Sequence, residues 1–342
     1  MRARFAVLGL LQLIAVPFLA HGQSAPALSL KTRIPLANVM GRMDHLSVDL
    51  KGHRLFATAF ENHTLEVVDV QAGKQVHTIR DLEQPQGAFF DASNNLLFVS
   101  SEGDGAVKIF DGTTFALLHT VKLSADADNV RYDAARKRVL VGYGGEKFLR
   151  GKPIRGQGDG ALAMIDTMGN KVGEIAVDAH PESFQLEKSG NRVFINVPDH
   201  KEIQIADLAK GTVVTHWPVT TCTENFPMTL DEAHHRLFVV CREPATLLVL
   251  DTETGKQVAS LKSQSSDDVF YDANKGRIYV IGTEGQIDVF QQKDADRYSK
   301  LASYPTVSGS GTGFFVPEWG ELFVATRAQS GQSGAILVFD TQ

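Results

Sequence analysis

Seven short polar clusters recur along this chain, and they hold the side chains best suited to chemistry. They are Asp44-His45, Gln84-Pro-Gln86, Asp126-Ala-Asp128-Asn129, His180-Pro-Glu182, Glu224-Asn225-Phe226, Asp267-Asp268 and Ser310-Gly-Thr312. Carboxylates, amides and two imidazoles brought to one opening would form a ring of donors. Such a ring suits a hard divalent cation such as Ca2+, or a polar ligand carrying positive charge. The ligand-binding candidates are His45, Gln86, Asp128, Asn129, His180, Glu182, Asn225 and Asp268. Within them Asn129, Glu182, Asn225 and Asp268 form the candidate metal set. Asp, Asn and Pro also form turns, so residue type alone accounts equally well for a water-filled channel without a ligand.

What would bring these clusters together is a repeat. The strand Arg54-Leu-Phe-Ala-Thr returns as Leu96-Leu-Phe-Val-Ser, Arg138-Val-Leu-Val-Gly, Arg192-Val-Phe-Ile-Asn, Arg236-Leu-Phe-Val-Val, Arg277-Ile-Tyr-Val-Ile and Glu321-Leu-Phe-Val-Ala. The copies lie roughly 40 to 45 residues apart, except where a Gly-rich insertion lengthens the third unit. Before each runs a strand ending in Asp or a similar residue, as in Leu46-Ser-Val-Asp49. After each runs a third strand such as Leu65-Glu-Val-Val-Asp69, then an outer one such as Val76-His-Thr-Ile79. These runs are β-branched and aromatic, four to six residues long and bounded by turns, which argues strands over helices. The expectation is all-β: a seven-bladed β-propeller of four-stranded antiparallel blades. Phe98, Phe194 and Phe238 are expected to fill the gaps between blades. The seventh unit runs only to its third strand, and Leu28–Leu36 is expected to supply the fourth and so close the ring.

Residues 1–22 read as a secretory leader: Arg2 and Arg4, an apolar run from Phe5 to Ala20, then Ala20-His-Gly22, with cleavage between 22 and 25. The run is short for a membrane span. The propeller domain is expected to cover 27–342, in the periplasm or secreted, and to be a monomer. The net charge of −6 becomes still more acidic without Arg2 and Arg4, which argues against nucleic acid as a partner. Cys222 and Cys241 would meet on one face of the fifth blade, compatible with a disulfide and with two unlinked thiols.

Loops between second and third strands converge on the same face as the seven clusters. The third unit adds 144–160, with six glycines and a net-positive tip, read as either a mobile lid or a solvated excursion. Sharper motifs are absent: Pro153 stands where a phosphate-cradling loop needs Ser or Thr, and no G-x-S-x-G or H-E-x-x-H occurs.

The order Asp, hairpin, Arg-Leu-Phe-Val, then Val-x-Asp-x-x-x-Gly-Lys resembles the YVTN-type repeat of YncE-like seven-bladed propellers. It is carried by Asp272–Val280, His235–Val258 and Thr64–Val76. Asp128-Asn-Val-Arg-Tyr-Asp133, His180-Pro-Glu-Ser-Phe-Gln-Leu186 and Asn225-Phe-Pro-Met228 resemble stretches of an exported bacterial subgroup of unknown function. The resemblance implies the fold over nearly the whole mature chain. For function it implies a range that includes DNA-binding propellers, lactone hydrolases and haem- or quinone-bearing domains. With no nucleophile–base constellation, the expected function is an exported, non-catalytic binding or scaffold module. Its mouth would take a small polar molecule, a metal ion or a protein segment. The alternative is a metal-dependent lactone or ester hydrolase of gluconolactonase-like type, by analogy of residue type with six-bladed relatives.

Overall fold

The computed structural model describes residues 25–149, 152–329 and 331–342; the leader lies outside the described residues. Seven four-stranded antiparallel sheets are arranged as the blades of a propeller. Blades one to six each use four consecutive strands. Blade seven combines Gly313–Val316, Glu321–Thr326 and Ala335–Thr341 with Leu28–Pro35 from the other end of the chain. Leu28 pairs with Thr341 and Pro35 with Ala335, so the two ends share one ladder and the ring closes.

Packing between blades follows from the two-residue period of a strand. In each repeated strand the third residue points one way: Phe56, Phe98, Leu140, Phe194, Phe238, Tyr279 and Phe323, all fully buried. Its flanking neighbours point the other way. Phe98 packs on Val139 and Val141 of blade three, Phe194 on Leu237 and Val239 of blade five, and Phe238 on Ile278 and Val280 of blade six. Phe323 completes the circle against Leu55 and Ala57 of blade one. Every seam therefore has the same construction. On the turn side, arginines add straps between blades. Arg54 bonds Asp49 within its hairpin and donates to the Gly112 carbonyl of the next blade at 2.6 Å, and Arg192 reaches the Thr252 carbonyl likewise.

The residues cross-paired with those interblade side chains form a ring around the axis: Ser47, Phe89, Arg131, Gln185, Thr229, Phe270 and Phe314. Two residues up each strand lie His45, Gly87, Asn129, Ser183, Pro227, Asp268 and Thr312. The insertion is a regular hairpin rather than an irregular loop. Strands Arg138–Leu149 and Lys152–Asp166 continue as a β-hairpin beyond the blade, with Glu146 opposite Arg155 and Leu149 opposite Lys152. Cys222 and Cys241 form a disulfide, with an S–S distance of 2.07 Å, at the edge of blade five. Among the described residues no helix is long and apolar enough to cross a membrane.

Because each seam relies on one large side chain, Phe98→Ala, Phe194→Ala and Phe238→Ala are each expected to cost about 3–5 kcal/mol. Urea unfolding followed by circular dichroism measures this; a cost near zero would mean that those rings do not hold the blades together.

Candidate functional site

Most of the clusters reach the axis because they lie at the start of an innermost strand or in the loop just before it. At the centre, the His45 ring spans the channel. Its Nδ1 bonds Asp268 at 3.2 Å, and its Nε2 lies 3.1 Å from Asn129 Nδ2. Asp44 and Asp128 each stand 3.7 Å from Nε2. The same Asp268 oxygen, Oδ2, also accepts the Gly313 amide at 3.0 Å, so this carboxylate is committed to the plug.

Above the plug opens a mouth of about 420 Å3 lined by Arg42, Gln86, Glu102, Asp126, Asp128, His180, Glu182, Phe226, Arg242 and Asp267, among others. Its volume falls in the range of small-molecule sites. His180 is held from behind. Its Nδ1 donates to the Gly144 carbonyl at 2.9 Å, leaving Nε2 at 3.7 Å from both Asp128 and Glu182. Gly145, at φ +82°, packs so closely that a side chain there would overlap the His180 backbone. A histidine whose Nδ1 proton is fixed on a backbone carbonyl presents Nε2 as a metal ligand does. Donor atoms of Asp128, His180 and Glu182 all lie within 4.8 Å of one another. The buried Oδ1 of Asp128 has no hydrogen-bond partner. The donor set thus fits a divalent cation.

Charges at this site reinforce one another. Burial opposes the charge on His45, but Asp268, Asp44 and Asp128 outweigh it and push its pKa up to about 10. His180 reaches about 10 in the same way, burial being overcome by Asp128, Asp126 and Glu182. Burial raises Asp44 to about 7 against the pull of Arg42 and His45, and raises Glu182 to about 7 against His180. Asp128 is also disfavoured by burial, yet the two histidines hold it below its ordinary value. At the rim Arg42 pairs with Asp44 and Arg242 with Asp267, and Arg242 lies 3.7 Å over the Phe226 ring.

Of the sequence-derived ligand residues, His45, Gln86, Asp128, Asn129, His180 and Glu182 line the mouth or its floor. The proposed metal set Asn129, Glu182, Asn225 and Asp268 is not one group. Asn129 donates to the Glu182 backbone carbonyl at 2.6 Å, and Asp268 holds His45. Asn225 is fully buried in the seam between blades four and five, donating to Asn196 at 3.0 Å and to the Glu202 carbonyl at 3.1 Å. Asp128 and His180 stand beside Glu182 instead. Arg42 escaped the sequence reading: it lies outside the repeated register, and only its position two residues before Asp44 marks it.

The chain is 22% identical over 264 residues to the uncharacterized protein YncE of Salmonella typhi, covering 76% of this chain and 59% of that protein. The Salmonella typhimurium YncE matches at 21% over the same lengths. This chain is a seven-bladed propeller similar to YncE over about three-quarters of its length. The match spans about three-fifths of these curated relatives. No family model matches the chain. Among solved structures, the hydrazine synthase of Kuenenia stuttgartiensis has a TM-score of 0.71 at 14% identity, covering 90% of this chain and 97% of its own. A chain of the mitotic checkpoint complex has a TM-score of 0.74 at 11% identity, covering 99% of both. At those identities the likeness is one of fold.

The raised pKa of His45 sets a pH dependence. Its ordinary value is 6.5 and its folded value about 10, so the stabilisation given by the protonated ring is complete below about 6.5 and is lost as pH rises towards 10. His45→Gln lacks this linkage. Between pH ~6 and ~9.5 the urea midpoint of the wild type is expected to fall further than that of His45→Gln. Equal falls would show that the ring is not held charged by Asp268.

Proposed function

We propose that this chain is an exported, non-catalytic binding module whose axial mouth holds a divalent cation and, above it, a small polar ligand. The observation that carries this is the convergence of Asp128, His180 and Glu182 under an open mouth, with Asp128 Oδ1 buried and without a hydrogen bond, 3.7 Å from His45 Nε2. An imidazole beside two carboxylates favours Mn2+ or Zn2+ over the all-oxygen preference of Ca2+. Arg42, Arg242 and the Phe226 face then line the space above the cation, suited to the polar groups and flat surface of a ligand. Export is supported by the leader-like residues 1–22 and by the Cys222–Cys241 disulfide, a bond that persists in oxidising compartments.

One observation favours a second reading, the metal-dependent lactone or ester hydrolase. Asp44 and Glu182 have pKa values pushed up to about 7, and a carboxylate titrating near neutrality beside a Lewis acid can accept a proton from water. Here a bound cation would polarise the carbonyl; Asp44, kept in place by Arg42, would take the proton. Turnover of a simple δ-lactone by the Mn2+-loaded protein, lost in Asp44→Asn, would select this reading over the first.

The cation is tested directly by isothermal titration of the full mature chain with MnCl2 and with ZnCl2. A single site is expected, with proton release as His180 and Glu182 give up their protons, so the measured heat varies with the buffer. Glu182→Gln is expected to weaken binding by on the order of tenfold or more. Absence of saturable heat with either metal would end the proposal.

A further inference from the structure

Beneath the His45–Asp268 plug, the other end of the axis has the opposite character. A second cavity of about 470 Å3 opens there, bordered by the ring that includes Phe89, Arg131, Phe270 and Phe314. Phe89 stacks on Tyr132 with centroids 5.0 Å apart, and Phe270 meets Phe314 edge-on at 6.2 Å. The walls are therefore aromatic on two sides. Arg131 lies among them, where its Nη1 donates only to the carbonyl of its neighbour Val130 at 2.9 Å and its guanidinium lies 5.8 Å from the Phe184 ring. Among the described residues no carboxylate lies within ion-pair distance of it. A half-buried guanidinium without an anion keeps part of its desolvation cost unrelieved. Burial accordingly lowers its pKa, against the distant pull of Asp268 and Asp128.

The charged groups on this cavity are few. Arg131 and the exposed Lys188 at its rim are cations; His45 and Asp268 in its floor neutralise each other. In the upper mouth carboxylates predominate; here a cation is left over. Guanidinium is also the group best shaped to take a carboxylate through two parallel hydrogen bonds.

We propose that this lower cavity is a second binding site, separate from the acidic mouth, for a small planar aromatic anion whose carboxylate meets Arg131 while its ring lies against Phe89, Phe270 and Phe314. The cavity volume admits a two-ring molecule, and the aromatic walls supply stacking and edge contacts that fix its plane. Lys188 at the entrance adds a further attraction for a negative ligand. The site needs no cation in the upper mouth.

The probe is 2-naphthoate, followed by its own fluorescence during titration of the full mature chain, with 2-naphthylmethylammonium as the charge-reversed control. Saturable binding of naphthoate is expected, with the ammonium failing to compete. Arg131→Gln is expected to weaken it by on the order of tenfold or more, and Arg131→Lys by less. Glu182→Gln, in the other mouth, is expected to leave it unchanged. Thermal unfolding of Arg131→Gln guards against misfolding: removing a half-buried charge that has no ion-pair partner is expected to leave the melting temperature the same or higher. No saturable binding to the wild type, equal binding of the ammonium, or an unaltered affinity in folded Arg131→Gln would each overturn the proposal. So would a large loss of stability in Arg131→Gln, because it would make the guanidinium a structural partner already satisfied.

Discussion

Everything at the axis depends on how one side chain per blade packs into the next. Phe56, Phe98, Leu140, Phe194, Phe238, Tyr279 and Phe323 occupy one register, and each lies against two apolar residues of the following blade, branched except for Ala57 beside Phe323. The uniform depth of that contact sets the angle between blades, and the pairing of Leu28–Pro35 with Ala335–Thr341 makes the seventh seam equivalent to the others. A closed ring places the seven innermost strands around a channel. Residues as distant in sequence as His45 and Asp268 then meet at hydrogen-bond distance.

The channel is not uniform. The His45–Asp268 pair, steadied by the Gly313 amide, divides it into two chambers. The upper one gathers carboxylates around two charged histidines, and its protonation states are tied together: each imidazolium depends on its neighbouring carboxylates, and Asp128 stays ionised because of the imidazoliums. A divalent cation placed on Asp128, His180 and Glu182 would take over the role of a proton. The lower chamber is aromatic and retains a spare guanidinium. A single ring of strands thus offers two chemically different ends, set by what each blade places at two adjacent registers.

The architecture was legible in the sequence because interblade packing tolerates little variation: a strand with a large third residue and branched neighbours must recur whatever the loops do. The positions of the polar clusters were legible for the same reason. Their grouping was not. Irregularities in register between Asn225 and Met228, and between Ser266 and Asp268, alter which way the entering residues face. Asn225 is thereby turned into a seam, Asp268 is engaged by His45, and Asp128 with His180 stands beside Glu182. The insertion misled for another reason. Its glycines suggested an irregular loop, but glycine is tolerated in an antiparallel ladder that merely extends two existing strands. The Arg131 ring, one register below, carried no motif at all; only its position in the repeat, read against the closed ring, gives it meaning.

We propose that the upper chamber holds a cation. Anomalous diffraction from crystals of the mature protein soaked in Mn2+ tests it most directly. A strong peak is expected between Asp128, His180 Nε2 and Glu182, with Nδ1 of His180 still on the Gly144 carbonyl. A fully exchanged crystal with no peak there, or with manganese only at the exposed Asp178, His200 and Glu202 group on blade four, would contradict it.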